Sequence, residues 1–195
     1  MSDRSARIAR QTGETEIDLR LDLDGSGEVD VATGLGFFDH MMTALGSHAR
    51  FDLTLRCQGD LEVDDHHTIE DCALALGSAI DEALGERRGI TRFGHAYAPL
   101  DEALARAVVD LSGRPASVVE LGLHRDMIGD VACENLTHAF VSIANRARAA
   151  IHVDVLRGSN DHHRAEAAFK ALALALRQAV SLDGSDDIPS TKGVL

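Results

Sequence analysis

The 195-residue chain contains few aromatic residues: six phenylalanines, one tyrosine and no tryptophan. Hydrophobic content is nevertheless ordinary at 45%, so we expect small aliphatic side chains to fill the core. Lysine is also scarce, since Lys170 and Lys192 are the only two, and the formal net charge is −13. This acidic balance argues against nucleic acid or an anionic membrane as a partner. An anionic substrate would need locally concentrated positive charge.

The sequence has no CxxC pair and no apolar run of membrane-spanning length. Its three cysteines, Cys57, Cys72 and Cys133, lie far apart, which is typical of reduced thiols in a cytoplasmic protein. No apolar segment follows the arginines of the first ten residues, so we expect no signal peptide. The length predicts one domain, or two half-domains that share a core.

The hydrophobic pattern repeats one order of elements. In the first half it predicts a hairpin at 16–32, a helix at 36–49, a strand at 51–57 and a long helix at 64–84. In the second half it predicts a hairpin at 103–121, a helix at 133–150, a strand at 151–157 and a helix at 162–180. We therefore predict an α+β fold made of an internally duplicated hairpin-helix-strand-helix unit, each repeat forming a small sheet with two helices on one face. The single domain would comprise repeats at about 7–90 and 91–182, followed by a tail at 183–195.

Two short segments read almost alike: DDHHTIED at 64–71 and NDHHRAEA at 160–167. On an α-helix, residues four apart share a face, whereas sequence neighbours point about 100° apart. In each copy, the first histidine and the glutamate can therefore bind one ion together, while the second histidine faces elsewhere. The same-face pairs are His66–Glu70 and His162–Glu166, and the second histidines are His67 and His163.

Histidines also occur at matching places on the two earlier predicted helices, His40 and His138. They precede the HHxxE copies by 26 and 24 positions. An isolated His-His pair usually lies on the protein surface and binds nothing, but this duplication favours a metal site. Two copies that face each other would supply six histidines and two glutamates, four ligands for each of two ions. Mn, Fe and Zn all accept such mixed ligands, and ligand type does not choose among them.

Six segments together resemble the imidazoleglycerol-phosphate dehydratases, which are lyases of histidine biosynthesis. The segments are GLGFFDHM, DDHHTIED, ITRFG, DLSGRP, NDHHRAEAAFKALALALR and PSTKG. The resemblance extends from about Arg7 to Leu195. It implies a ribosomal protein S5 domain 2-like fold and a hydro-lyase that removes water from imidazole glycerol phosphate. It also implies a homo-oligomer of 24 subunits with active sites between subunits.

The resemblance implies two Mn²⁺ ions per active site, each bound by both repeats. By position, one ion would take His40, His67, His162 and Glu166, and the other would take His66, Glu70, His138 and His163. The substrate ring would be held as an imidazolate, so that the hydroxyl leaves before the C2 proton is removed. Five of these ligand residues are also expected to contact the substrate: His40, His66, His67, Glu70 and His162.

The resemblance also implies residues for proton transfer and for phosphate binding. Glu14 would transfer the proton, with His48 as its relay partner, although by pattern alone Glu14 is a solvated strand-edge residue. The residues expected to contact substrate at or near its phosphate are Arg92, Arg114, Ser190, Thr191 and Lys192. Lys170 follows Glu166 by one turn, and it either contacts substrate or pairs with that carboxylate.

Two other functional classes stay open on the residues alone. The first is a metal-binding shell without catalysis, which would give Glu14 and the basic residues no common purpose. The second is a binuclear metallohydrolase acting on a phosphate ester. Such sites are usually richer in bridging carboxylates, whereas histidine outnumbers glutamate three to one among these ligands.

Overall fold

The computed structural model describes residues 4–195, which form two four-stranded sheets with two helices each. The first half contains β1 (Ser5–Gln11), β2 (Thr15–Asp22), β3 (Val29–Ala32), α1 (Gly36–Ala49), β4 (Asp52–Gly59) and α2 (His66–Leu84). The second half contains β5 (Phe93–Leu100), β6 (Ala103–Asp110), β7 (Ala116–Glu120), β8 (Met127–Ile128), β9 (Val131–Ala132), α3 (Cys133–Arg146), β10 (Ala150–Arg157) and α4 (Asp161–Val180). The strand orders are β1-β2-β4-β3 and β5-β6-β10-β7. The halves share one topology, and the duplicated α+β fold is confirmed.

The hairpins predicted at 16–32 and 103–121 are wrong. β4 lies between β2 and β3, and β3 pairs with β4 in parallel. In the same way β10 lies between β6 and β7. The hairpins are instead formed by β1 with β2 and by β5 with β6. The glycine-rich turn after β2 carries the chain past the end of β4, where Asp52 accepts hydrogen bonds from the backbone N–H groups of residues 26–28.

The helices begin and end close to the predicted positions, with one exception. α1 covers the predicted range 36–49, and α2 ends before Gly85. α3 ends at Arg146 rather than at 150, because Arg148 adopts a left-handed φ of 50° and the chain then enters β10. An Asn160 side chain that accepts a hydrogen bond from the backbone of His162 caps the start of α4.

Each sheet is buried on the face that its helices cover. Along β2, Ile17, Leu19 and Leu21 are buried in alternation with more exposed polar residues. The halves pack against each other through their helices, α1 on α4 and α2 on α3. The small core residues allow close packing. A Cβ added at Gly94 would lie 1.9 Å from the carbonyl oxygen of Ala175 on α4.

The tail after α4 packs against the segment that joins α2 to β5 and against the loop after β6. Gly89 exchanges backbone hydrogen bonds with residues 183 and 187, and Arg92 donates to the carbonyl oxygen of Pro189 at 2.7 Å. Leu195 ends beside Gly113, where an added Cβ would lie 2.6 Å from the Leu195 carbonyl carbon. Over residues 4–195, no helix combines the length and apolar character needed to cross a membrane.

Candidate metal centres

The first group of metal-ligating side chains lies where α1 packs on α4. The Nε2 atoms of His40 and His162 lie 3.1 and 3.2 Å from the same oxygen of Glu166, Oε2. Phe37 packs edge-on against the His162 ring, with centroids 5.0 Å apart. Two ring nitrogens and one carboxylate oxygen thus converge within 4.8 Å of one another, which suits a divalent cation.

The second group lies where α2 packs on α3. Glu70 lies between two imidazoles, with Oε2 3.5 Å from His66 Nε2 and Oε1 3.2 Å from His138 Nε2. The two rings stack with centroids 5.2 Å apart. The Nδ1 atom of His66 lies 2.9 Å from the side-chain oxygen of buried Asn135.

The surroundings of His138 test whether this group fits a metal. Its Nε2 atom is shielded from solvent and has no hydrogen-bond partner in the described part of the chain, although Glu70 Oε1 is within ion-pair distance. The close approach therefore lacks hydrogen-bond geometry. A buried nitrogen needs a partner, and a cation between the nitrogen and the carboxylate would provide it. The donor set fits a metal ion.

The two groups are related by the duplication. Each takes an i, i+4 His–Glu pair from the last helix of one half and a single histidine from the other half. Because α1 contacts α4 and α2 contacts α3, both groups form at the boundary between halves. The structure thus brings together three of the four residues in each predicted ligand set.

The remaining predicted ligands, His67 and His163, join neither group among residues 4–195. The Nδ1 atom of His67 lies 3.0 Å from Asp60 Oδ2, and its Nε2 atom lies 3.7 Å from Glu14 Oε1. The Nδ1 atom of His163 lies 2.7 Å from Glu102 Oε2. His67 and His163 thus lie outside the ligand groups of their sequence neighbours His66 and His162, as expected from the helical offset of about 100°.

These contacts change the pKa values of the groups. The hydrogen bond with Asp60 raises the pKa of His67, and the hydrogen bond with Glu102 raises the pKa of His163. Burial pushes the pKa of Glu166 upward, but hydrogen bonds from Lys170 and His40 outweigh burial and lower that pKa to about 2. Glu166 is therefore ionised at neutral pH, as a metal ligand must be.

The structure places Glu14 beside His67 and leaves His48 apart. Glu14 lies in the turn between β1 and β2, its side chain is 54% exposed, and the carboxylate accepts no hydrogen bond from any described residue. His48 is exposed in the last turn of α1. It follows His40 by eight residues, or about 12 Å of helix. No contact between His48 and Glu14 occurs within the described chain.

The basic residues predicted to bind phosphate gather at the far end of α4. Arg92 donates to both oxygens of Asp110 at 2.7 and 3.1 Å, and its backbone N–H donates to the carbonyl of Ala179. Ala179 follows His162 by seventeen residues, which corresponds to about 26 Å of helix. Arg114 is exposed in the loop after β6, next to the residue that contacts Leu195. One chain therefore does not bring Arg92 to its own first histidine group.

Two further predicted positions have defined surroundings. Ser190, Thr191 and Lys192 form a turn of the tail, in which the Lys192 backbone donates to the Ser190 hydroxyl at 3.2 Å. Of the two roles left open for Lys170, the structure shows the ion pair, since its Nζ atom lies 2.6 Å from Glu166 Oε1.

Sequence reasoning missed the acceptors that hold the histidines: Asp60, Glu102 and Asn135. It also missed buried Asp71, which accepts a 2.6 Å hydrogen bond from the Thr15 hydroxyl at the base of the turn that carries Glu14. One signal for Glu102 was available, because a glutamate stands at matching places in the two halves, directly before β2 and β6.

Comparison with known proteins places this geometry in a family. The family model described as imidazoleglycerol-phosphate dehydratase matches residues 33–176. A protein of that name from Phytophthora nicotianae is 59% identical over 98% of this chain, which spans 42% of that protein's length. The protein of that name from Candida glabrata is 56% identical over 97% of this chain and 99% of its own length.

Two solved structures have the same fold. The crystal structure of IGPD from Pyrococcus furiosus has a TM-score of 0.83 and 37% identity, covering 96% of this chain and 100% of that one. The imidazoleglycerol-phosphate dehydratase of Staphylococcus aureus also has a TM-score of 0.83, with 32% identity over 91% of this chain and 99% of that one. The resemblance of the sequence motifs is thereby confirmed, and the chain belongs to the imidazoleglycerol-phosphate dehydratase family of enzymes.

Proposed function

We propose that the chain is a metal-dependent hydro-lyase of histidine biosynthesis. It would convert D-erythro-1-(imidazol-4-yl)glycerol 3-phosphate to 3-(imidazol-4-yl)-2-oxopropyl phosphate and water. The observation that carries the proposal is the pair of His-His-Glu groups, built alike at the boundary between halves in a chain of this family. A substrate with an imidazole ring suits a site that offers open metal positions.

The two groups would each hold one ion, and we propose Mn²⁺ for both. His40, His162 and Glu166 would bind one, and His66, Glu70 and His138 would bind the other. Mixed imidazole and carboxylate donors without thiolate suit this cation. Three donors leave positions free for His67 or His163 from a second copy of the chain and for substrate.

The bound ions would supply Lewis acidity that stabilises the ring in its deprotonated form and the departing hydroxide. The C2 hydrogen of the substrate has no neighbouring carbonyl that would make it acidic. A basic side chain of the protein must therefore accept that proton. Glu14 is suited to accept that proton, since its carboxylate is half-exposed and accepts no hydrogen bond within the described residues. His48 would take part only across a boundary between copies, because within one chain it lies apart from Glu14.

Distances support an assembly of several copies. Five bonds separate the ring carbon of the substrate from its phosphorus, and three chain bonds span about 3.6 Å, so these two atoms are at most about 6 Å apart. Ala179, whose carbonyl accepts from the Arg92 backbone, lies about 26 Å from His162 along α4. We therefore propose that the phosphate binds Arg92, Arg114, Ser190, Thr191 and Lys192 of a neighbouring copy. The homo-oligomer of 24 subunits that we propose is the one that the sequence resemblance implies.

A substitution at Glu14 tests the proposal against both rivals. Glu14→Gln should lower kcat for dehydration by about 10²–10⁴-fold, while the two Mn²⁺ ions per chain stay bound in elemental analysis. Glu16→Gln is the matched control, because Glu16 is exposed two residues later on β2, and it should keep full activity. A metal-binding shell would not catalyse the loss of water from the substrate at all. A metallohydrolase would release inorganic phosphate instead.

A further inference from the structure

The duplication places one glutamate at the same position in each half. Glu14 directly precedes β2 and Glu102 directly precedes β6, two eight-residue strands that each complete a hairpin. The side chains of these two glutamates have different surroundings. This difference between the surroundings of Glu14 and Glu102 is the starting point for a proposal about Glu102 and Asp60, two acidic residues outside the ligand sets.

Glu102 is fully occupied as a hydrogen-bond acceptor. Its Oε1 atom accepts from the backbone N–H groups of Ser159 and Asn160 at 2.9 and 2.8 Å. Its Oε2 atom lies 2.7 Å from Nδ1 of His163. The carboxylate of Glu14, by contrast, accepts no hydrogen bond within residues 4–195, and it approaches the Nε2 side of His67 at 3.7 Å.

In the first half, Asp60 takes the place that Glu102 fills in the second. Asp60 follows β4, and its Oδ2 atom lies 3.0 Å from Nδ1 of His67. Its backbone N–H also donates to the carbonyl oxygen of Glu14 at 3.0 Å. The same residue therefore holds the histidine and the turn that carries the free glutamate.

The chemistry of a carboxylate–imidazole contact fixes which ring nitrogen binds a metal. An ionised carboxylate can only accept, so the Nδ1 atom that faces it carries the hydrogen. The lone pair of the neutral ring then lies on Nε2. We propose that Asp60 and Glu102 are positioning residues that hold His67 and His163 through Nδ1, leave Nε2 for metal binding, and keep Glu14 free for the substrate. This inference rests on the proposed function.

Two substitutions of Asp60 separate positioning from mere packing. Asp60→Leu keeps the branching of the side chain but cannot accept from Nδ1–H, whereas Asp60→Asn keeps an accepting oxygen. The chelator-treated, full-length protein is dialysed to equilibrium against Mn²⁺ alone, and circular dichroism checks the fold. Asp60→Leu should weaken one of the two Mn²⁺ sites by about 10–100-fold. Asp60→Asn should stay within about threefold of the unaltered protein.

Substitutions in the second half provide the control. Glu102→Ala should weaken the other site, and Asp101→Asn should weaken neither, because Asp101 lies beside His163 Nε2 at 3.8 Å without a hydrogen bond. If Asp60→Leu does not fold, Asp60→Ala and Glu102→Ala decide the question. Unchanged Mn²⁺ affinity in the folded variants would overturn the inference. Failure of the proposed function would appear separately, as Mn²⁺ binding by the unaltered protein without any loss of water from the substrate.

Discussion

The carboxylate of Glu166 allows the electrostatics of the first metal group to be measured without any metal. Its pKa in the fold is lowered from 4.5 to about 2, and its side chain is only 12% exposed. A group whose pKa is lower in the folded state stabilises the protein above its unfolded pKa. That stabilisation is lost as the pH falls through the folded pKa. Glu166 should therefore stabilise the metal-free protein at pH 7 and lose most of this effect below pH 4.5.

The shift sets the size of the effect. A difference of about 2.5 pKa units corresponds to about 3 kcal/mol of unfolding free energy at pH 7. At pH 3 the same two pKa values leave about 1 kcal/mol. Glu166→Gln, which does not titrate, should therefore cost about 2 kcal/mol more at pH 7 than at pH 3.

Urea unfolding of the chelator-treated protein, followed by circular dichroism at one protein concentration, measures both costs. Lys170→Met is the companion variant, because it removes the ammonium 2.6 Å from Glu166 and leaves the burial in place. The pKa of Glu166 should then rise, and the pH dependence should shrink. An equal cost of Glu166→Gln at pH 7 and pH 3 would refute the reasoning.

Three further outcomes are expected. Phe140→Ala should lower the free energy of unfolding by about 3–5 kcal/mol in urea titrations, because Phe140 is fully buried with its ring 4.5 Å from that of Phe169. Arg92→Ala should expose the C-terminal tail to limited proteolysis, since it removes the donor to the tail carbonyl and the pairing with Asp110, and mass spectrometry would locate the cuts. Chelation should abolish loss of water from the substrate, and Mn²⁺ should restore it; activity that survives complete metal removal would contradict the two-ion site.

The helical part of the site followed from the sequence. The i, i+4 spacing fixed which histidine shares a face with each glutamate, and the structure shows the His66–Glu70 and His162–Glu166 contacts. The duplication also pointed to His40 and His138, because equivalent positions in a repeated fold lie in equivalent surroundings. Helix geometry is enough to predict which ligands lie together when they belong to one helix or to equivalent helices of the two repeats.

The sheets and the acceptors could not be predicted in the same way. A glycine-rich turn shows where the chain reverses, but it does not show that β4 inserts between β2 and β3 after a helix has intervened. The contact of Asp60 with His67 depends on how the segment after β4 folds over the start of α2. The separation of Arg92 from the histidines depends on β5 packing along the whole of α4, which no spacing in the sequence records.

The packing of α1 on α4 and of α2 on α3 has an evolutionary consequence. An ancestral chain with a single unit would have carried one HHxxE helix and one helix with a lone histidine, and it would have had no partner half for either. Two such chains, associated about a twofold axis, would have formed both groups at once. Gene fusion would then have made that pairing permanent and would have allowed the two copies to diverge. Glu102 now holds an imidazole, whereas the carboxylate of its counterpart Glu14 accepts no hydrogen bond within the described residues.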